Sequence, residues 1–144
     1  MDVEDLNKCL RSELSAIETY EQALEKNRQQ YGHDPRFQQL SQMLKDHQGA
    51  ASRVRTLIQQ KGGTPSSDSG AWGTWSKTVM GTAKLFGDTA ALKALKEGEE
   101  SGLKAYQSIG HDSGASADVK NTVSTLMAEQ MEHIRQLDRL MEAA

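Results

Sequence analysis

Apolar residues recur along most of this chain at alternating steps of three and four positions, the spacing of one face of an α-helix. Short runs containing Gly, Pro, Ser or Asp, which commonly begin or end helices, separate four such stripes. The pattern predicts helices over about residues 2–31, 35–61, 88–110 and 116–143. Their predicted capping residues are Asp2, Asp34 (followed by Pro35), Asp88 and Ser116. We therefore expect an all-α fold.

The connection between the second and third helices, residues 62–87, is too long for a tight turn between antiparallel neighbours. We expect it to cross the bundle and to join two antiparallel hairpins within a single domain, residues 1–144. One further apolar stripe predicts a short helix over about residues 72–86, formed by Trp72, Trp75, Val79, Ala83 and Phe86. We expect these side chains to pack on the bundle rather than to bind a ligand.

A polar residue interrupts each of the four long stripes. The interruptions are Glu13, His47, Glu99 and, on the fourth helix, Gln130 with His133. Burying an unpaired carboxylate is costly, so each glutamate needs a hydrogen-bonded cationic partner or a metal ion. The nearest candidate in each hairpin is its histidine. The stripes therefore predict a cluster of Glu and His side chains in the middle of the bundle.

The two halves of the sequence repeat this arrangement. Subtracting 13 from 99, 20 from 106, 40 from 126 and 47 from 133 gives 86 each time. The offset relates the pairs Glu13 and Glu99, Tyr20 and Tyr106, Leu40 and Leu126, and His47 and His133. Two hairpins related in this way, joined by one crossover, form an architecture in which facing helices can build a metal site.

On these residues the sequence resembles the ferritin-like superfamily, which includes bacterioferritin and rubrerythrin. Those proteins bind two irons with one Glu on the first and third helices and a Glu-x-x-His motif on the second and fourth. The resemblance covers nearly the whole chain and implies a ferritin-like four-helix bundle. It implies four candidate metal ligands, Glu13, His47, Glu99 and His133, with tyrosines near them at Tyr20 and Tyr106. Gln130 and Glu129, which share the fourth helix with His133, are further candidates around the site. Within this superfamily the sequence resembles bacterial ferritin-like bundle proteins of unknown function, through LNKCLRSELSAIETYEQAL near its start.

The chain departs from that pattern at both bridging glutamates, where it has Leu44 and Gln130. Leucine cannot ligate a metal and glutamine is a poor, neutral ligand for iron, so we do not expect a standard ferroxidase centre. The acids beside the histidines, Asp46 and Glu132, do not simply replace the bridges, because neighbouring helix positions point about 100° apart. Glu129 lies one helical turn before His133, and we expect that its side chain can reach the cluster.

Charge and composition exclude several kinds of partner. The chain has 17 Lys and Arg against 20 Asp and Glu, for a formal net charge of -3, and has no basic block. We therefore expect no nucleic-acid partner and no binding to an anionic membrane. The sequence contains no long apolar run and no signal peptide, which favours the cytoplasm. The single cysteine, Cys9, excludes an internal disulfide.

Two interpretations of the polar cluster remain open. In the first, it is a structural network in a non-enzymatic ferritin-like protein, for which a stress-related role fits. Such a protein acts by association with itself or with another protein, and we expect a homodimer. In the second, it is a degenerate site for Fe, Zn or Mn that can be redox-active. We do not expect an enzyme, although the sequence leaves that question open. A cofactor-free hydrolase has the least support, because no nucleophile lies beside a base.

Overall fold

The computed structural model describes residues 3–69, 85–87 and 89–143. Within these residues the chain forms α1 (Val3–Tyr31), α2 (Pro35–Gln60), α3 (Ala90–Gly110) and α4 (Ala117–Glu142). The predicted all-α class and the four predicted helices are thus confirmed. The predicted caps Asp2 and Asp88, together with Trp72, Trp75, Val79 and Ala83 of the predicted short helix, lie outside the described residues.

Two of the predicted helix caps are present. The Asp34 side chain accepts a hydrogen bond from the backbone N–H of Arg36, at 2.8 Å, with Pro35 in the first turn of α2. The Ser116 hydroxyl oxygen accepts from the backbone N–H of Val119, at 3.3 Å. Each cap satisfies an N–H that has no partner inside its own helix.

The helices pack as two hairpins, because α1 contacts α2 and α3 contacts α4 far more extensively than any other pair. Between the hairpins, α1 packs on α3 more closely than α2 packs on α4. The seam between α2 and α4 is therefore the loosest of the four helix contacts. None of the described helices is long and apolar enough to span a membrane.

The apolar core has two parts, one toward each end of the bundle. One part includes Tyr20, Leu24, Phe37, Leu40, Leu92, Leu95 and Leu137. The other includes Leu6, Leu10, Val54, Ile58, Tyr106, Ile109, Val123 and Leu126. Along every helix the polar stripe residue lies between the members of these two sets, so the core is divided by a buried polar layer.

The described ends of the crossover are fastened to α1 by two asparagines. Asn7 donates to the carbonyl of Thr64, at 3.1 Å, and accepts from the backbone N–H of Ser66, at 2.7 Å. Asn27 accepts from the backbone N–H of Leu85, at 3.0 Å. Leu85 and Phe86 are buried in the core but form a bend rather than the predicted helix. The crossover is thus held at both ends of the first helix.

Candidate metal centre

Each helix contributes one of the four sequence-predicted ligands to the polar layer. Glu13 comes from α1, His47 from α2, Glu99 from α3 and His133 from α4, and all are at most 3% exposed. They lie inside because each occupies a position of its helix's apolar stripe. The prediction that these four residues meet in the middle of the bundle agrees with the geometry; their role as ligands stays a prediction.

His47 lies between two carboxylates. Its Nδ1 is 2.9 Å from Glu13 Oε2, and its Nε2 is 2.5 Å from Glu99 Oε1. These are charge-assisted contacts, which are shorter and stronger than neutral hydrogen bonds. Both ring nitrogens of this imidazole are therefore paired, and the ring links α1 to α3.

His133 is also held between two carboxylates, but through the opposite nitrogens. Its Nδ1 lies 3.3 Å from each oxygen of Glu99, and its Nε2 lies 2.9 Å from Asp46 Oδ2. The two imidazole centroids are 4.9 Å apart. Glu99 is thus the centre of the cluster, with one histidine on each side.

Two buried tyrosines complete the cluster. The Tyr20 hydroxyl donates to Glu99 Oε1, at 2.9 Å, and the Tyr106 hydroxyl donates to Glu13 Oε1, at 3.1 Å. Burial and the adjacent carboxylates raise the pKa of both tyrosines well above the usual value. Each tyrosine is therefore a neutral donor to a glutamate.

Electrostatics favour the carboxylate form of Glu99 and the imidazolium form of His47 and His133. Burial opposes the charge on Glu99, but His47 and His133 outweigh it and lower the pKa of its carboxyl to about 2. Burial likewise opposes the charge on both histidines, yet Glu99 with Glu13 raises the pKa of His47 well above its usual value. Hydrogen bonds to Glu99 and Asp46 raise the pKa of His133. Both shifts favour the imidazolium form, in which each ring carries a proton on both of its nitrogens.

Three of the four predicted ligands can meet one metal ion. His47, Glu99 and His133 each offer a donor atom, and the three atoms lie within 4.8 Å of one another. Glu13 is not in this set, because its oxygens face His47 Nδ1 and the Tyr106 hydroxyl. The cluster among the described residues is thus a three-donor group with Glu13 behind it.

The residues around the donors do not supply a second set of bridges. Gln130 turns its amide to the α3 backbone and donates to the carbonyl of Glu99, at 3.1 Å. It fits there because Gly102 has no side chain: a Cβ would lie 2.6 Å from Gln130 Nε2. Leu44 packs against the apolar core. Glu129 is partly exposed, and burial together with nearby Asp46 raises the pKa of its carboxyl.

Sequence reasoning missed the contact that Asp46 makes. We expected neither Asp46 nor Glu132 simply to replace a bridging glutamate, and we predicted no contact between Asp46 and His133. Asp46 nevertheless reaches across the α2–α4 seam to His133, whereas Glu132 stays on the surface, paired with Arg135 and Arg139. The repeated acid-His dipeptide was a signal, but it does not reveal which of the two acids crosses the seam.

Comparisons with known proteins agree with this fold. Residues 1–112 match a domain of unknown function, DUF2383. No curated protein matches the chain. A solved ferritin-like, diiron-carboxylate protein from Bacillus anthracis str. Ames is 23% identical, with a TM-score of 0.74 over 96% of this chain and 94% of that chain. Rhodobacter capsulatus bacterioferritin, solved with a metal-free dinuclear site and heme iron, is 20% identical, with a TM-score of 0.77 over 98% of this chain and 83% of that one. The resemblance to the ferritin-like fold is confirmed.

Proposed function

The chain belongs to the DUF2383 family, a family of unknown function, and we propose that it binds a single divalent metal ion, Fe, Zn or Mn, in the polar layer. The observation that carries the proposal is the convergence of His47, Glu99 and His133, whose donor atoms lie within 4.8 Å of one another. Two imidazoles and one carboxylate form the donor set of many mononuclear iron and zinc sites. The ferritin-like, diiron-carboxylate protein of similar fold adds support.

One ion fits this site better than two. A dinuclear centre needs bridging carboxylates, and the corresponding positions hold Leu44 and Gln130. The Gln130 amide is already engaged with the Glu99 carbonyl. The remaining donors suffice for three protein ligands, with further positions for water or a substrate.

This chain's own residues prepare the site by holding protons that an ion would replace. His47 and His133 each face Glu99 with one nitrogen and a second carboxylate with the other. The proton on the Glu99 side must leave before that nitrogen can bind a metal, while the outer hydrogen bond can remain. An ion bound there would supply Lewis-acid chemistry or, if it is iron or manganese, one-electron chemistry.

Metal analysis tests the proposal. Protein expressed with added iron, zinc or manganese should contain about one ion per chain by inductively coupled plasma mass spectrometry. The content should fall to background in a His47→Ala, His133→Ala variant. The matched control is His33→Ala, His111→Ala, which removes two histidines that lie outside the polar layer and should leave the content unchanged.

The second candidate is a non-enzymatic bundle protein in which the same cluster is only structural. Its support is that both ring nitrogens of both buried histidines already have a carboxylate partner. Fully paired polar groups of this kind are tolerated in a core and can fix how helices pair. Wild-type protein that stays metal-free and refuses added Fe(II), Zn(II) and Mn(II) would favour this candidate and rule out the first.

A further inference from the structure

Asp46 precedes His47 in the sequence but contacts the other buried histidine. Its Oδ2 lies 2.9 Å from His133 Nε2, across the seam between α2 and α4. The contact between Glu13 and His47 Nδ1, also 2.9 Å, has the same form, since it joins α1 to α2. Each buried imidazole is therefore held between Glu99 on one side and a second carboxylate on the other.

An imidazole can present either of its nitrogens to a metal, and the hydrogen bond made by the other nitrogen decides which one it presents. We infer that Asp46 is a positioning residue for His133, holding its Nδ1 toward Glu99 and the proposed metal, as Glu13 holds Nε2 of His47. The inference rests on the proposed function, because the contact of Asp46 with Nε2 leaves Nδ1 of His133 as the nitrogen offered to the ion.

The two positioning carboxylates differ in ways that make Asp46 the better one to test. The side chain of Glu13 is 2% exposed, whereas the side chain of Asp46 is 33% exposed. Replacing Asp46 with asparagine therefore removes a charge at the edge of the core rather than inside it. Asparagine has nearly the same size, so the variant should fold. If it does not, Asp46→Ser removes the carboxylate with a smaller side chain.

The chain offers a matched control at the corresponding position of the other hairpin. Glu132 precedes His133 as Asp46 precedes His47, but it pairs with Arg135 at 2.8 Å and Arg139 at 3.2 Å on the protein surface. Glu132→Gln therefore removes the same kind of charge beside a histidine without removing a contact to either ring.

Nuclear magnetic resonance of metal-free, ¹⁵N-labelled protein tests the orienting contact directly. The chain has 4 histidines, whose ring nitrogens long-range ¹H–¹⁵N spectra can assign. In Asp46→Asn the Nε2 resonance of His133 should shift, and its proton should exchange faster with water. The Nδ1 resonance of His47 should stay in place, and Glu132→Gln should change neither ring. Identical His133 resonances in wild type and Asp46→Asn would overturn the inference.

Zinc binding measured by competition with a chelator supplies the second readout. Loss of an outer carboxylate of this kind weakens metal binding about 10–100-fold. We therefore expect Asp46→Asn to bind zinc about 10–100-fold more weakly than wild type, with about one ion still bound at saturation. The affinity of Glu132→Gln should equal that of wild type. Equal affinity in wild type and Asp46→Asn would refute the inference while leaving the proposed function standing. If the wild-type protein binds no zinc, manganese or iron, the proposed function fails, and the resonance spectra alone decide whether Asp46 orients His133.

Discussion

Replacing Glu99 with glutamine removes the carboxylate shared by both buried histidines while nearly keeping its size. Although burial opposes the charge of this carboxyl, the two imidazoles lower its pKa from 4.5 to about 2. At 1.36 kcal/mol per pKa unit, this difference corresponds to about 3 kcal/mol of folding free energy. That is a large part of the roughly 5–15 kcal/mol by which a typical domain is stable.

The sign of the pH dependence follows from the lowered pKa in the folded state. The ionised carboxyl contributes its stability above pH 4.5, and the contribution is lost as the pH falls toward about 2. Glu99→Gln should therefore be less stable than wild type by about 3 kcal/mol near pH 6. The two proteins should become nearly equal as the pH approaches about 2.

Urea unfolding followed by far-ultraviolet circular dichroism measures this difference at each pH. The control is Glu100→Gln, which changes the neighbouring, exposed glutamate on the same helix and should shift the unfolding free energy by less than about 0.5 kcal/mol. A gap between wild type and Glu99→Gln that is as large near pH 3 as near pH 6 would contradict the lowered pKa of Glu99 as its cause. A Glu99→Gln variant as stable as wild type near pH 6 would refute the reasoning.

Three further predictions concern proton competition, the crossover and the close helix contact. Zinc affinity should rise from about pH 6 to about pH 8, because an ion must displace protons from the two buried histidines, whose pKa values are raised. Equal affinity in titrations at both pH values would contradict this. Asn27→Ala should lower the free energy of unfolding by about 1–3 kcal/mol, because the buried N–H of Leu85 loses its acceptor. An unchanged urea midpoint would show that the stability of the protein does not depend on this hydrogen bond. Gly102→Ala should lower the free energy of unfolding by about 1–3 kcal/mol in the same assay, because its Cβ would lie 2.6 Å from Gln130 Nε2. The control is Gly49→Ala, whose Cβ meets nothing within 4 Å and which should not destabilise the protein.

The helices and the polar layer could be predicted from the sequence because both follow from periodicity. A residue that occupies an apolar stripe position must face the core, whatever its chemistry. Glu13, His47, Glu99 and His133 all occupy such positions, and all four are buried. The capping residues Asp34 and Ser116 are equally local signals, since each acts within a few residues of its own position.

The contacts inside the layer could not be predicted, because they depend on distances between helices. Periodicity places Glu13 inward but does not reveal that it lies behind His47 instead of joining the three donors. Periodicity also predicts the same placement for Asp46 and Glu132. Only Asp46 contacts a buried histidine, His133, across the α2–α4 seam, the loosest helix contact of the bundle. The orientation of Gln130 depends on the absent side chain of Gly102, which lies on another helix.

The most direct test of the proposed metal site is a crystal structure of the protein grown with Zn(II), with diffraction data collected on both sides of the zinc absorption edge. The proposed function predicts one anomalous peak per chain, in contact with His47, Glu99 and His133, with His133 still bonded to Asp46 through its outer nitrogen. Crystals grown with excess zinc that show no anomalous peak among these three residues would contradict it, and the cluster would then be a purely structural network.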